Sequence, residues 1–207
     1  MTELALARLR QLSAHEVGHT LGISHNFASS MQNRASVMDY PHPLVGLNSN
    51  GSIDLSNAYD TGIGEWDKVA SAYGYSEFGE DAHEKIALDR MLQASIDEGL
   101  AFISDQDARP AGGAHPDAHL WDNGTDASDE LVRILGVREN ALRRFSENSI
   151  PVGTPFSQLA DVLAPLFLSH RYQVDAASKL LGGLYYTYAV RGDGQTIAEI
   201  VSPERQR

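Results

Sequence analysis

The chain of 207 residues contains no cysteine at all. Disulfides, thiolate metal sites and a cysteine nucleophile are thereby excluded, while the compartment is left open. Basic residues are scarce as well: 16 lysines and arginines face 28 aspartates and glutamates, for a net charge of -12. A nucleic-acid footprint needs basic patches, so no nucleic-acid partner is expected. No apolar run is long enough to cross a bilayer, and Met1-Thr2-Glu3-Leu4 has neither the basic start nor the apolar middle of a signal peptide. Repeats and low-complexity tracts are missing too. What is present, 42% hydrophobic and 21% charged residues, is ordinary for a globular protein able to bury a core.

Against that plain background one stretch stands out, His15-Glu16-Val17-Gly18-His19-Thr20-Leu21-Gly22-Ile23-Ser24-His25. On a helix of 3.6 residues per turn, His15 and His19 lie one above the other, so both imidazoles can reach one ion. Glu16 points elsewhere, which suits a base that touches a metal-bound water rather than the metal. Gly22 lets the chain leave the helix through a left-handed residue, after which His25 can return as a third ligand. Three neutral nitrogens leave a zinc ion one open position for water.

This pattern resembles the extended zinc signature of the metzincin metallopeptidases. Ser36-Val37-Met38-Asp39-Tyr40, with Met38 thirteen residues after His25, is similar to the methionine turn that forms an apolar floor under the zinc histidines of that family. The context from Asn26 through Pro41-His42-Pro43 to Asp122-Asn123-Gly124 further resembles large bacterial zinc-dependent metalloproteases with a metzincin core. The resemblance implies a zinc cofactor, a peptide or protein substrate and a secreted or periplasmic parent protein. It gives Met38 a shaping role beneath the metal. Tyr40 matches by position the methionine-turn tyrosine that donates to the oxyanion in astacin-like and serralysin-like metzincins, with simple packing on the turn as its other reading. Metzincins place about half of their catalytic domain, including a substrate-binding sheet, before the zinc helix. A C-terminal piece or a truncated chain is therefore expected, with an incomplete cleft and an apolar surface that invites a homodimer.

Along the chain, Thr2 can cap a helix over about 3–23, with Leu4, Leu9, Leu12 and Leu21 in apolar contact and Arg8 and Arg10 in solvent. Residues 25–51 read as ordered loop. Helices are predicted over about 65–73 and 81–97, the latter placing Met91 in the core. Residues 100–103 suggest a short strand. A further helix starts at a cap on Asp126 or Ser128 and runs to about Phe145. Another opens at Thr154-Pro155 and reaches about Leu181, with a bend at Pro165. Residues 184–190 have strand character, their tyrosines packing on the preceding helix, and the tail from Gln195 reads as an edge segment. The expected fold is mainly α with a few short strands, the C-terminal part of an α+β metzincin catalytic domain. It forms one unit over 1–207, with zinc helix, methionine turn and following helix in 1–78 and a helical region in 79–207.

Residues 105–124 crowd Asp105, Asp107, Arg109, His115, Asp117, His119 and Asp122 among glycines and prolines. Three uses are open: a loop held by its own hydrogen bonds, a wall of the active-site cleft, or a second, calcium-like metal site without the EF-hand spacing. Pro116 after His115, and the lack of a glutamate there, argue against a second zinc motif. His83-Glu84 lacks a histidine four residues on. His42 reads as a surface or cleft histidine, and His170 as a mid-helix hydrogen-bonding one. Asp39 can fix the methionine turn, and either Asn26 or Asp39 can support a ligand histidine. Three functions stay open: a zinc endopeptidase with Glu16 as general base, a zinc-retaining binding module, and a metal hydrolase of non-peptide amides.

Overall fold

The computed structural model describes residues 2–79 and 83–207. Its first element, α1 (Thr2–Thr20), stops three residues short of the predicted end. Gly22, at φ 78°, turns the chain out of the helix. Its N–H bonds the His19 carbonyl at 3.0 Å, and the Ile23 N–H reaches back to the Gly18 carbonyl at 3.0 Å. This is the paired bonding of a Schellman end, and it satisfies the last carbonyls of the helix. Thr2, read as the cap, lies inside the helix. Only Gln11, His15 and Gly18 of α1 are buried. Leu9 and Leu21 are exposed, as are Leu6 and Val17, whereas Arg8 is half-buried with its guanidinium over the Tyr59 ring. The chain that follows folds against the histidine side of α1, not its leucine side.

After α1 come a short hairpin of two-residue strands, β1 (Gly46–Leu47) with β2 (Ile53–Asp54), then α2 (Glu65–Tyr75) and α3 (Glu84–Asp97). Asp81, the predicted start of the third helix, lies outside the described residues. α3 buries none of its residues fully, and Met91, expected in the core, is half-buried. Residues 100–103 are extended but form no strand, because their hydrogen bonds go to side chains and loop backbone. Ala101 N–H donates to Gln32 Oε1, Ile103 N–H to Asn26 Oδ1, and the Ile103 carbonyl accepts from Phe27 N–H at 2.8 Å.

The single turn α4 (Asp105–Ala108) leads through a long loop to α5 (Ala127–Arg144). Asp126 caps α5, its carboxylate accepting from the Ser128 and Asp129 N–H groups. The long helix predicted to follow is split into α6 (Leu159–Phe167) and α7 (Arg171–Ser178), and the break falls after Pro165, not at it. The Phe167 carbonyl, which a continuing helix would offer to the Arg171 N–H, is taken at 2.8 Å by Arg138 Nε of α5, and Arg171 N–H bonds the Leu168 carbonyl instead. His170 therefore sits at the break between helices. In the tail, β3 (Leu184–Tyr186) pairs antiparallel with β4 (Ala198–Ile200), Leu184 opposite Ile200, so β4 is an exposed edge strand of a two-stranded sheet.

The chain is mainly helical with few short strands, yet its buried cluster is built largely from loops. Phe27, Ala28, Ile103, Ala108 and Ala118 form it, with Tyr40, Leu120 and Tyr186 packed against it. Asn26, wholly buried, serves these loops with its whole amide: Oδ1 accepts from Ala28 and Ile103 N–H, and Nδ2 donates to the Ala101 carbonyl at 2.9 Å. The cluster thus lies directly behind the segment that follows His25.

Candidate metal centre

His15, His19 and His25 come together as the sequence predicts: one ring nitrogen from each lies within 4.8 Å of the others, a spacing that suits one metal ion. Each ring is held by its other nitrogen. His15 Nδ1 meets the Val37 carbonyl at 2.7 Å, His19 Nδ1 the Ile23 carbonyl at 3.0 Å, and His25 Nδ1 the Asp105 Oδ2 at 2.8 Å. Carbonyl and carboxylate oxygens only accept, so each Nδ1 carries the proton and each Nε2 presents a lone pair.

Those lone pairs are the test of whether a metal fits. His15 Nε2 is buried with no hydrogen-bond partner, and His19 Nε2 lies 3.1 Å from His25 Nε2 with no proton available between them. Two facing acceptors repel unless a cation sits among them. Zn–N bonds of about 2.0–2.1 Å in a tetrahedron place nitrogens roughly 3.3 Å apart, close to this separation. Burial, which outweighs the hydrogen bond to the Val37 carbonyl, holds His15 below the ordinary histidine pKa and favours its neutral form. The site fits zinc.

The methionine turn is the second part of the centre. Val37 supplies the carbonyl that orients His15, and Met38 is fully buried beneath the helix. Its sulfur lies against Gly18, where a Cβ would overlap Sδ and stand 3.2 Å from Cε. The turn is clamped from α2. Asp67 Oδ2 accepts from Val37 N–H at 2.8 Å and Gly64 N–H at 2.7 Å, while Oδ1 accepts from Ser36 Oγ at 2.6 Å. Gly64 is required by close approach, since a Cβ there would overlap the Ala35 carbonyl. Asp39 also braces the turn, accepting from Tyr40 N–H and Ser29 Oγ, each at 2.6 Å.

Tyr40 lies beside the three histidines. Its ring is 5.1 Å from that of His15, 4.8 Å from that of His25, and stacks on Trp121 at 5.3 Å. Glu16 is exposed, and its charge reaches His15. Gly22 makes the helix exit that lets the Ile23 carbonyl orient His19.

Several contributors escape a reading of the sequence. Asp105, eighty positions from His25, is its orienting acceptor, a place that neither Asn26 nor Asp39 takes. Burial raises the Asp105 carboxyl, but hydrogen bonds from His25 and Arg109 outweigh it and leave the pKa below the usual range. Arg109, paired with Asp105, lies over the Tyr40 and Phe27 rings. Asp105, Arg109 and Trp121 thus flank the three histidines and Tyr40. Asp107 accepts from the Tyr186 and Tyr188 hydroxyls, so the polar ends of those tyrosines are held by α4. Only Gly18, inside the histidine repeat, carried a local signal, because a glycine in a helix interior asks for a reason.

The remaining histidines stand apart. His115 and His119 are buried against the Tyr186 and Pro116 carbonyls, and burial pushes them down to about 4 and about 3. His42 is half-buried beside Tyr172, held low by burial, and His83 is exposed. A cavity of about 990 Å³ is lined by residues that include Trp66, Tyr73, Phe102, Tyr185 and Tyr188, and no member of the histidine cluster borders it. No described helix is long and apolar enough to cross a membrane.

No curated protein and no solved structure matches the chain. A family model does, over residues 1–207, and its description is Met-zincin. With three convergent imidazoles and a buried methionine beneath them, the chain belongs to the Met-zincin family, a zinc metallopeptidase-type domain.

Proposed function

We propose that this chain carries the catalytic machinery of a zinc-dependent endopeptidase, in which His15, His19 and His25 hold the metal through Nε2. The observation that carries the reading is the set of three Nδ1 bonds, which leaves three lone pairs facing one point. When bound, zinc supplies a Lewis acid and lowers the pKa of a coordinated water toward neutrality. Glu16, exposed on the turn that carries His15, takes a proton from the attacking water and returns it to the leaving amine. The Tyr40 hydroxyl donates to the developing oxyanion, and Met38 with the Tyr40 ring shapes the floor and flank of the site. The finer resemblance, to large bacterial metalloproteases acting outside the cytoplasm, accords with this chemistry.

The test is cleavage of an unfolded protein substrate by the zinc-loaded chain. Glu16→Gln should keep one zinc per chain and lose about 10²–10⁴-fold in kcat. Tyr40→Phe should lose about 10²-fold in kcat with little change in KM. Absence of stoichiometric zinc from the folded wild type would remove the assignment.

One observation favours a second reading, a module that keeps zinc without hydrolysing peptides. Leu6, Leu9 and Val17 are 44%, 56% and 56% exposed, so the described residues put no wall along that side of α1. Full zinc occupancy with no cleavage would mark it. The same strip is where a homodimer would form, which sedimentation velocity across a concentration series checks.

A further inference from the structure

Behind the methionine turn is a cavity of about 200 Å³ with a mixed lining: Val37, Pro41, Tyr59 and Ile63 on its apolar side, and Ser29, Ser30, Asp39, Asp122 and Asn123 among its polar residues. We propose that this cavity binds one calcium ion, held by Asp39, Asp122 and Asn123 with the Ser29 and Ser30 hydroxyl oxygens and water completing the shell.

Unspent oxygen atoms are the first reason. Asp122 is 4% exposed; its Oδ2 accepts from Ser30 Oγ at 2.8 Å, while its Oδ1 is buried with no partner. Asn123 is 6% exposed; its Nδ2 donates to the His42 carbonyl at 2.8 Å, which fixes the amide orientation and leaves Oδ1 buried and unpartnered. Two orphaned acceptors on neighbouring residues, lining one cavity, cost several kcal/mol unless something electropositive meets them.

Charge is the second reason. Asp39 and Asp122 are both buried, and the Asp39 charge acts on Asp122. No described cation pairs with either. Lys179 is near enough to influence Asp122 but donates to the Ala118 carbonyl, and Arg34, on the cavity wall, is bound to Asp60 and to the Asn57 and Ala58 carbonyls. One proton neutralises one carboxylate and satisfies one oxygen. A divalent cation neutralises both and accepts every orphaned oxygen at once.

The donor set selects the ion. It offers oxygens only, on loops, so it suits a hard cation that tolerates six to eight ligands in irregular geometry, which is calcium rather than zinc or magnesium. Bound there, the ion would tie Asp39 of the methionine turn to Asp122 and Asn123, which directly follow the Trp121 that stacks on Tyr40. It would brace the metal centre from behind without touching it.

Equilibrium dialysis of the full zinc-loaded chain against ⁴⁵Ca²⁺ tests the proposal, with thermal unfolding followed at fixed zinc. The expected result is one calcium per chain at 1 mM, a melting temperature raised by several degrees, and no such rise with magnesium. Asp122→Asn should abolish both effects. If that variant does not fold, Asn123→Ala carries the comparison and should weaken binding at least tenfold. No calcium retained by the wild type, or calcium binding unchanged in whichever variant folds, overturns the proposal. Neither readout uses peptidase activity, so failure here leaves the reading of the histidines untouched.

Discussion

Replacing Gly18 by alanine should destabilise the protein, which is opposite in sign to the usual effect. In an unobstructed helix interior, glycine to alanine gains about 1 kcal/mol from backbone entropy and helix propensity. Here the added methyl overlaps the Met38 sulfur, and Met38 is fully buried, so the thioether cannot move aside without displacing the turn that holds it. Overpacking of this kind costs about 1–3 kcal/mol, which leaves a net loss of up to about 2 kcal/mol and lowers the melting temperature by a few degrees. Met38→Ala alone should cost about 2–5 kcal/mol through the cavity it opens. In the double variant the methyl enters that cavity, so the pair should be more stable than Met38→Ala by about 1 kcal/mol, and the two changes should couple by about 1–3 kcal/mol. Urea denaturation of the four proteins, stripped of metal so that zinc affinity does not enter, measures each term. A Gly18→Ala protein more stable than the parent, with additive behaviour in the double variant, would refute the argument that Met38 packs on the zinc helix through Gly18.

Three further outcomes follow from the same geometry. Asp105→Ala should weaken zinc binding by about 10–100-fold with the fold intact, because His25 loses the acceptor that fixes its tautomer, while Asp105→Asn should lose less; competition with a chromophoric chelator decides, and equal affinities would sink the role. Asp67→Ala should cost about 3–5 kcal/mol even without metal, since the buried Val37 N–H and Ser36 hydroxyl lose their acceptor; a thermal shift under two degrees would contradict the clamp. Burial pushes His119 down to about 3, so below pH 6.5 the unfolded chain binds a proton that the folded chain refuses, and stability falls by about 1.4 kcal/mol per pH unit as the pH drops toward 4. Asp39, pushed up to about 7, has the opposite slope, so the diagnostic is the difference between wild type and His119→Gln, whose urea midpoint should fall less between pH 7 and pH 5. Parallel curves would show that His119 is not buried as described.

Residues close in sequence made the heart of the site legible. His15, His19, Gly22 and His25 act through one helix and the turn that ends it, where spacing alone dictates which side chains share a face. The methionine turn could be placed, but not its clamp, because Asp67 reaches it from another helix. Asp105 was read in a crowded acidic loop, and nothing local distinguishes an aspartate that holds a histidine eighty positions away from one in solvent. The helix split at His170 has the same origin: Pro165 marked the bend, but the Arg138 side chain of α5 decided where the carbonyl ladder ends.

The sequence by itself determined the fold class and which three histidines converge, since these depend on residue type and on helical periodicity. The tertiary structure alone decided which acceptor holds each imidazole, why Gly18 must be small, and that two buried carboxylates share a cavity behind the methionine turn. Those facts rest on contacts between segments tens of residues apart, and directional hydrogen bonds and packing overlap exist only once folding has brought them together.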